Sequence, residues 1–162
     1  MENMMIKLWS EKSAAIKVAI MTILFFGANA YFSFSTDTYC TFRNGFKASA
    51  IDMATRNGRP IIGLIYELHY LSGLSNECFY YISTASALLF LAISIWLYQK
   101  LLAKHGLPEN TRILISFASI SNIFIIEYFM FIEKCGYMLA VLLNIVAIYF
   151  IAFFLKISLS NI

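Results

Sequence analysis

The chain has 162 residues, of which 60% are hydrophobic, 17% aromatic and only 13% charged, and its net charge is +3. This balance excludes an ordinary water-soluble domain and intrinsic disorder, while three cysteines are too few for a disulfide-stapled miniprotein. The absence of a dense basic run also argues against nucleic-acid binding, so we expect an all-α membrane protein with one membrane domain over residues 1–162.

The first apolar segment covers residues 14–35 and is long enough to cross the hydrocarbon core, which requires about 20 helical residues. Its only charge, Lys17, lies near the start, from where the side chain can reach the headgroups. A secretory signal is the alternative, because Ala-Asn-Ala at residues 28–30 follows a lysine-containing segment and an apolar stretch. The apolar stretch continues through Tyr31 and Phe34, which favours a span.

The loop at residues 36–78 is too long for a simple connector, since long loops usually carry a function. Helical spacing predicts a first short helix over residues 46–54, which ends before Gly58. Pro60 then suits the first turn of a second helix. Both helices are expected to lie along the membrane surface.

The second loop helix is predicted to be amphipathic and too short to span the membrane. Its apolar positions recur with helical spacing at Ile61, Leu64, Ile65, Leu68 and Leu71. Tyr66, His69 and Tyr70 are expected at the depth of the lipid headgroups.

Asp37 follows the first span directly, where desolvation by the membrane can raise the pKa of a carboxyl group into the range of a general base. The alternative is a structural role, in which Asp37 caps a helix or ends the span. Acidic and basic residues are balanced in the loop. Such a mixture suits a phosphorylated lipid ligand, although any solvated loop has the same composition.

Three further spans are predicted at residues 79–99, 113–132 and 137–155. The third contains Glu127, and an ionisable residue inside a span is costly enough to suggest a function. A turn at residues 133–136 joins the last two spans. Glu133 in this turn has two interpretations, a site residue or an exposed neighbour of Lys134, and the sequence favours the second.

Lysine and arginine residues near the span ends favour a cytoplasmic location for both termini and for the loop between the second and third spans. The loop at 36–78 and the turn at 133–136 then face outward together. Cys40 and Cys78 bracket the loop, and either a disulfide between them or two isolated buried thiols is compatible with the sequence. No His, Cys, Asp and Glu cluster has the spacing of a zinc site.

Several short motifs resemble the polytopic O-antigen glucosyltransferases that convert bacterial serotype. They are Ser-Thr-Asp-Thr-Tyr at 35–39, Arg-Asn-Gly-Phe at 43–46, Asn-Gly-Arg-Pro at 57–60, Ile-Glu-Tyr-Phe at 126–129 and Gly-Tyr-Met-Leu-Ala-Val-Leu-Leu at 136–143. The resemblance covers most of the chain. It implies a membrane glycosyltransferase of the GT-C class in the bacterial inner (cytoplasmic) membrane.

For the chemistry, the resemblance implies inverting transfer of a sugar, glucose, from a polyprenyl-phosphate carrier to an outer-face glycan such as O-antigen. Asp37 would act as the catalytic base or hold a divalent metal ion, Mg²⁺ or Mn²⁺. Arg59 would contact the carrier phosphate, for which its planar guanidinium is suited, and Arg43 would assist in substrate binding. Glu127 and Glu133 would border the donor or the acceptor.

The family's chains have more spans than the four predicted here, so a truncated enzyme, or a second membrane chain that completes the fold, is expected. The other functions left open are a noncatalytic four-span subunit or remnant and a small transporter or flippase. A transporter function would account for the ionisable Glu127 inside a predicted span, but not for the long outer loop.

Overall fold

The computed structural model describes residues 13–27, 36–103, 106–121, 123–129 and 131–160, and this part of the chain is helical with no strand. In chain order the helices are α1 (Ser13–Gly27), α2 (Thr36–Asn44), α3 (Phe46–Thr55), α4 (Pro60–Ser72), α5 (Asn76–Leu102), α6 (Glu109–Ile120), α7 (Ile123–Tyr128) and α8 (Lys134–Ser160). The predicted all-α fold class is therefore confirmed.

Two helices, α5 and α8, are long and apolar enough to cross a membrane, by length and composition. They correspond to the spans predicted at residues 79–99 and 137–155. The shorter apolar helix α1 covers the first half of the span predicted at 14–35, while residues 28–35 lie outside the described part of the chain. The described helices thus provide two candidate spans and not four.

The prediction of one continuous helix over residues 113–132 is wrong. Helix α6 ends at Ile120, Ser121 has a non-helical backbone with φ −81° and ψ 82°, and the short helix α7 follows. The sequence places Ser119 and Ser121 near this break, and such side chains compete with a helix for backbone hydrogen bonds. The apolar periodicity continues across the break and therefore did not reveal it.

The long helices pack around an apolar core that joins α1, α5, α6, α7 and α8. Phe26 of α1 stacks on Phe129, with ring centroids 5.2 Å apart. At the other end of α1, Lys17 donates a hydrogen bond of 3.0 Å to Asn110 and lies 3.4 Å from the Glu109 carboxylate. These contacts fix the start of α1 beside α6 and the end of α1 beside the residue that follows α7.

The loop helices α3 and α4 form a tight hairpin, and the turn between them lies where the sequence predicted it. Gly58 has a positive φ of 63°, which favours glycine, and Pro60 begins α4. Gly63 lies directly against α3, because a Cβ atom at this position would stand 2.8 Å from the Ala50 carbonyl oxygen and 2.9 Å from the Ala54 Cβ. A side chain at residue 63 would therefore separate the two helices.

Helix α4 buries a different face from the one that its apolar periodicity suggested. Tyr66 and His69, expected at headgroup depth, are buried within the protein. Most of the predicted apolar stripe is instead exposed, namely Ile61, Leu64, Leu68 and Leu71. An exposed leucine-rich stripe on a helix that leads into a candidate span is the surface expected of a helix lying on lipid.

The buried face of α4 belongs to a second apolar cluster, which joins α3, α4, the start of α5 and the turn before α8. Within it the His69 ring lies 4.2 Å from the Phe46 ring centroid and 4.4 Å from that of Phe79. Burial lowers the pKa of His69 below its ordinary value of 6.5. The cluster connects the loop helices to the start of the candidate span α5 and to the turn before α8, and the candidate site is built on it.

Candidate functional site

The turn between α7 and α8 lies slightly earlier than predicted. Its described residues are Phe129 and residues 131–133, and Lys134 already belongs to α8. The Lys134 backbone N–H donates to the Phe131 carbonyl at 3.3 Å, and that of Gly136 donates to the Glu133 carbonyl at 2.8 Å. The residues predicted as a turn at 133–136 therefore form the last residue of the turn and the first residues of the helix.

Side chains from two distant segments hold this turn in place. The Ile132 N–H donates to Thr38 Oγ1 of α2 at 3.2 Å, and Ser83 of α5 donates to the Ile132 carbonyl at 2.6 Å. The Cys135 N–H donates in turn to Ser83 Oγ at 3.3 Å. The outer loop and the turn, which we expected on the same face, are thus in direct contact.

Glu133 is a buried member of a hydrogen-bond network, so its interpretation as an exposed turn residue is wrong. Only 2% of its surface is exposed. Tyr66 donates its hydroxyl hydrogen to Oε2 at 2.8 Å, and Tyr137 donates to Oε1 at a longer 3.5 Å. Burial, followed by the nearby Glu133 carboxylate, raises the pKa of Tyr66 well above its usual range, so this phenol keeps its proton.

Arg59 extends the network to the surface. Its Nη1 donates to the Tyr137 hydroxyl at 2.9 Å, and its guanidinium carbon lies 5.8 Å from the centroid of the same ring. The Tyr137 ring also stacks on Tyr128, at 4.6 Å between ring centroids. The guanidinium is therefore held in a fixed orientation while the residue remains exposed. We refer to Arg59, Tyr66, Glu133 and Tyr137 as the outer network.

Lys134 is fully buried beside the outer network. Its Nζ lies 3.9 Å from the centroid of the Tyr80 ring, and the atom has no hydrogen-bond partner among the described residues. A buried ammonium without an acceptor is costly, and a cation over an aromatic face recovers part of that cost. This side chain is thus fixed between α5 and α8.

Among the side chains that the structure describes, the outer network includes two that the sequence indicated, Arg59 and Glu133. Asp37 lies in the first turn of α2, and its side chain is outside the described part. Arg43, in the last turn of α2, and Glu127, on α7, are both exposed and take no part in the outer network. The substrate contacts predicted for these two residues gain no support from their surroundings.

Sequence reasoning missed the tyrosines of the network. Tyr137 stands four residues after Glu133, one helical turn away, and this spacing was the available signal. Tyr66 comes from a separate segment, 67 residues earlier, so no local pattern indicated its contact with Glu133.

An open cleft lies next to Arg59, between α2 and α3, with a volume of about 860 Å³. We call it the α2–α3 cleft. Its lining includes Asn44 of α2, Asp52 of α3 and Asn57 in the following turn, together with two arginines, Arg56 and Arg59. The outer network thus borders a space large enough for a small polar ligand.

The described residues supply no obvious metal centre. Among them no three His, Cys, Asp or Glu side chains converge on a point that could hold a metal ion. The three cysteines are free, with Cys40 and Cys78 exposed and Cys135 buried. The suggested pairing of Cys40 with Cys78 is therefore absent, and these two thiols are not buried either.

Comparison with known proteins does not assign the chain to a family. No protein-family model matches the sequence, and neither a curated protein nor a solved structure is significantly similar to it.

Proposed function

We propose that the chain is an integral membrane glycosyltransferase of the GT-C type, or the N-terminal portion of one. It transfers a sugar, glucose by the motif resemblance, from a polyprenyl-phosphate carrier to an outer-face glycan such as O-antigen. In this proposal α1 and the α6–α7 segment complete a four-span topology with α5 and α8. The termini are cytoplasmic, and the outer network faces the far side of the bacterial inner membrane.

The observation that carries the proposal is the hydrogen-bonded path from Glu133 through Tyr137 to Arg59. It orients an exposed guanidinium at the edge of an open cleft, and guanidinium groups are well suited to phosphate oxygens. Glu133 is too buried to touch a substrate, so it acts here as a positioning residue. This differs from the substrate contact that the motif resemblance implies for it.

In the proposed reaction, the Asp37 carboxylate accepts the proton of the acceptor hydroxyl while the hydroxyl oxygen attacks the anomeric carbon of the donor sugar. The bond between the anomeric carbon and the phosphate oxygen breaks, and its electron pair leaves with the carrier phosphate. Arg59 stabilises the charge that develops on this phosphate. Attack opposite to the leaving group inverts the configuration of the sugar.

The test is sugar transfer in membrane vesicles that contain the chain, a radiolabelled polyprenyl-phosphate glucose and a lipid-linked glycan. Asp37→Asn should abolish transfer while expression and membrane insertion stay unchanged. Glu77→Gln is the matched control, because Glu77 is exposed at the start of α5 and lies outside the outer network. Transfer retained by Asp37→Asn would contradict the catalytic role of Asp37.

A noncatalytic membrane subunit is the second candidate. Both carboxylate oxygens of the buried Glu133 accept hydrogen bonds from tyrosine hydroxyls. Such a network also stabilises a fold that has no catalytic role, which favours the subunit. The same vesicle assay separates the two candidates. A wild-type chain that inserts correctly and transfers no sugar, alone or with a membrane chain that completes the fold, supports the subunit.

A further inference from the structure

Helix α8 packs against the described part of the chain along one face. Met138 is buried in the apolar core that α8 shares with α5, and Val141 and Ile145 pack partly buried against the same core. Of the most apolar stretch of α8, 17% is buried within the structure, compared with 39% for α5. Most of the α8 surface is therefore open to lipid or to another helix.

The exposed surface of α8 carries a carboxamide, Asn144, in the middle of the candidate span. This residue lies ten positions after Lys134, about 15 Å along the helix axis and thus halfway through a hydrocarbon core of ~30 Å. Its Nδ2 donates to the Ala140 carbonyl at 3.0 Å, and the described residues give its side chain no other partner. One N–H and the side-chain carbonyl thus remain unpaired at a depth without water.

Asn144 belongs to the side of α8 that points away from the apolar core. Each residue advances about 100° round an α-helix, so Ala147, nine residues after Met138, points about 180° away from that buried side chain. Exposed residues at spacings of four, three and four positions line this side, and we call them the α8 seam: Ala140, Asn144, Ala147 and Ile151. This is the a/d spacing by which two helices pack side by side.

The composition of the α8 seam suits a close contact between helices in a membrane. Small side chains such as the two alanines let helix backbones approach closely, and a polar side chain that bonds across the contact adds to its stability. Lipid chains provide no donor or acceptor, so lipid over the seam leaves Asn144 at the cost of an unpaired buried polar group. A helix that presents a hydrogen-bonding group at the same depth removes this cost.

We propose that the α8 seam pairs with the same seam of a second copy of this chain, in a parallel two-fold dimer. Copies of one chain share one topology, so Asn144 of the second copy lies at the same depth in the membrane. A carboxamide is self-complementary, and each Asn144 donates its remaining N–H to the side-chain carbonyl of the other. The inference rests on the part of the proposed function in which α8 spans the membrane, and not on sugar transfer.

The test is fluorescence energy transfer in phospholipid vesicles between chains labelled at Cys78. In a Cys40→Ser chain Cys78 is the exposed cysteine, since Cys135 is buried. Donor-labelled and acceptor-labelled chains are mixed, and transfer is followed as the protein-to-lipid ratio is lowered, which gives the Kd of the dimer. Asn144→Leu should raise this Kd about tenfold, whereas Asn144→Gln, which keeps a carboxamide, should change it less.

Disulfide formation tests the geometry of the pair. In a chain with Cys40 and Cys78 replaced by serine, Ala147→Cys places a thiol in the α8 seam, and oxidation in vesicles with copper phenanthroline should link two copies. Tyr149→Cys is the matched control, because Tyr149 is exposed and lies about 200° round the helix from Ala147. Chains with Tyr149→Cys should remain unlinked.

The outcomes separate the dimer from the proposed function. A monomer at every protein-to-lipid ratio, or a dimer whose Kd does not change with Asn144→Leu, overturns the proposal and leaves the seam to lipid or to a different membrane helix. Equal linking through Ala147→Cys and Tyr149→Cys also overturns it. These results leave the enzyme intact when the inserted chain transfers sugar. The expected Kd change and linking in a chain that transfers no sugar support the dimer and contradict the enzyme alone.

Discussion

Tyr66 of α4 donates its hydroxyl hydrogen to Glu133 across 2.8 Å, and both side chains are almost fully buried. This bond joins α4 to the turn that precedes α8. A carboxylate in such a place depends on its donors, because removal of one donor leaves a buried acceptor without compensation. The contact is therefore a stability determinant as well as part of the outer network.

Tyr66→Phe should destabilise the protein by roughly 1–3 kcal/mol, since Glu133 would retain only the longer bond from Tyr137. The measurement is thermal unfolding in detergent, followed by intrinsic fluorescence. Tyr70→Phe is the matched control, because Tyr70 lies on the same helix and is 48% exposed. Equal unfolding temperatures for the two variants would show that the Tyr66 bond contributes nothing.

Tyr137→Phe should weaken donor binding without loss of the fold. The ring that stacks on Tyr128 is retained, whereas the acceptor for Arg59 is lost. If Arg59 binds the carrier phosphate, we expect the KM for the lipid-linked donor to rise about tenfold while kcat changes less. Tyr149→Phe, on an exposed part of α8, is the control. An unchanged KM would disprove the positioning role of Tyr137.

Stability should fall as the pH decreases below about 6.5, the ordinary pKa of the His69 imidazole. Burial lowers the pKa of His69 in the folded state, so the unfolded chain binds the proton first and is favoured at lower pH. Above this range both states are neutral and the effect vanishes. The unfolding temperature from about pH 8 to about pH 5 should therefore decrease more steeply for the wild type than for His69→Gln. Parallel pH profiles would contradict this account.

The exposed stripe of α4 should contact lipid. An environment-sensitive fluorophore on Leu64→Cys, in a chain with Cys40 and Cys78 replaced by serine, should emit at shorter wavelength in vesicles than in water. The same fluorophore on Arg56→Cys should remain water-like, because the Arg56 side chain is 84% exposed on the polar α3–α4 turn. Water-like emission from both positions would place α4 away from the membrane surface.

The loop helices were largely predictable because their boundaries depend on local chemistry. Gly58 and Pro60 mark the end of α3 and the start of α4, and both boundaries are confirmed. The buried face of α4 was not predictable in the same way. Periodicity identifies an apolar face, but it does not show whether protein or lipid covers that face. The stripe that includes Leu64 and Leu68 is exposed, and the protein instead covers the face of Tyr66.

The candidate site was less predictable than the fold because it depends on contacts between distant segments. The sequence favoured an exposed turn position for Glu133 beside Lys134, whereas tyrosines from two helices enclose that carboxylate. Arg59 was indicated only by its motif, and its orientation depends on Tyr137, 78 residues further along the chain. Such pairings follow from tertiary packing, which a single sequence does not specify.

The burial of Lys134 has a consequence for the order in which the helices assemble. Its ammonium group is compensated by the Tyr80 ring, which α5 supplies. Without α5 in place, this ammonium group would lack its aromatic partner, at a cost in free energy. Because the chain is synthesised from its N-terminus, α5 and its Tyr80 ring are available before Lys134 is made.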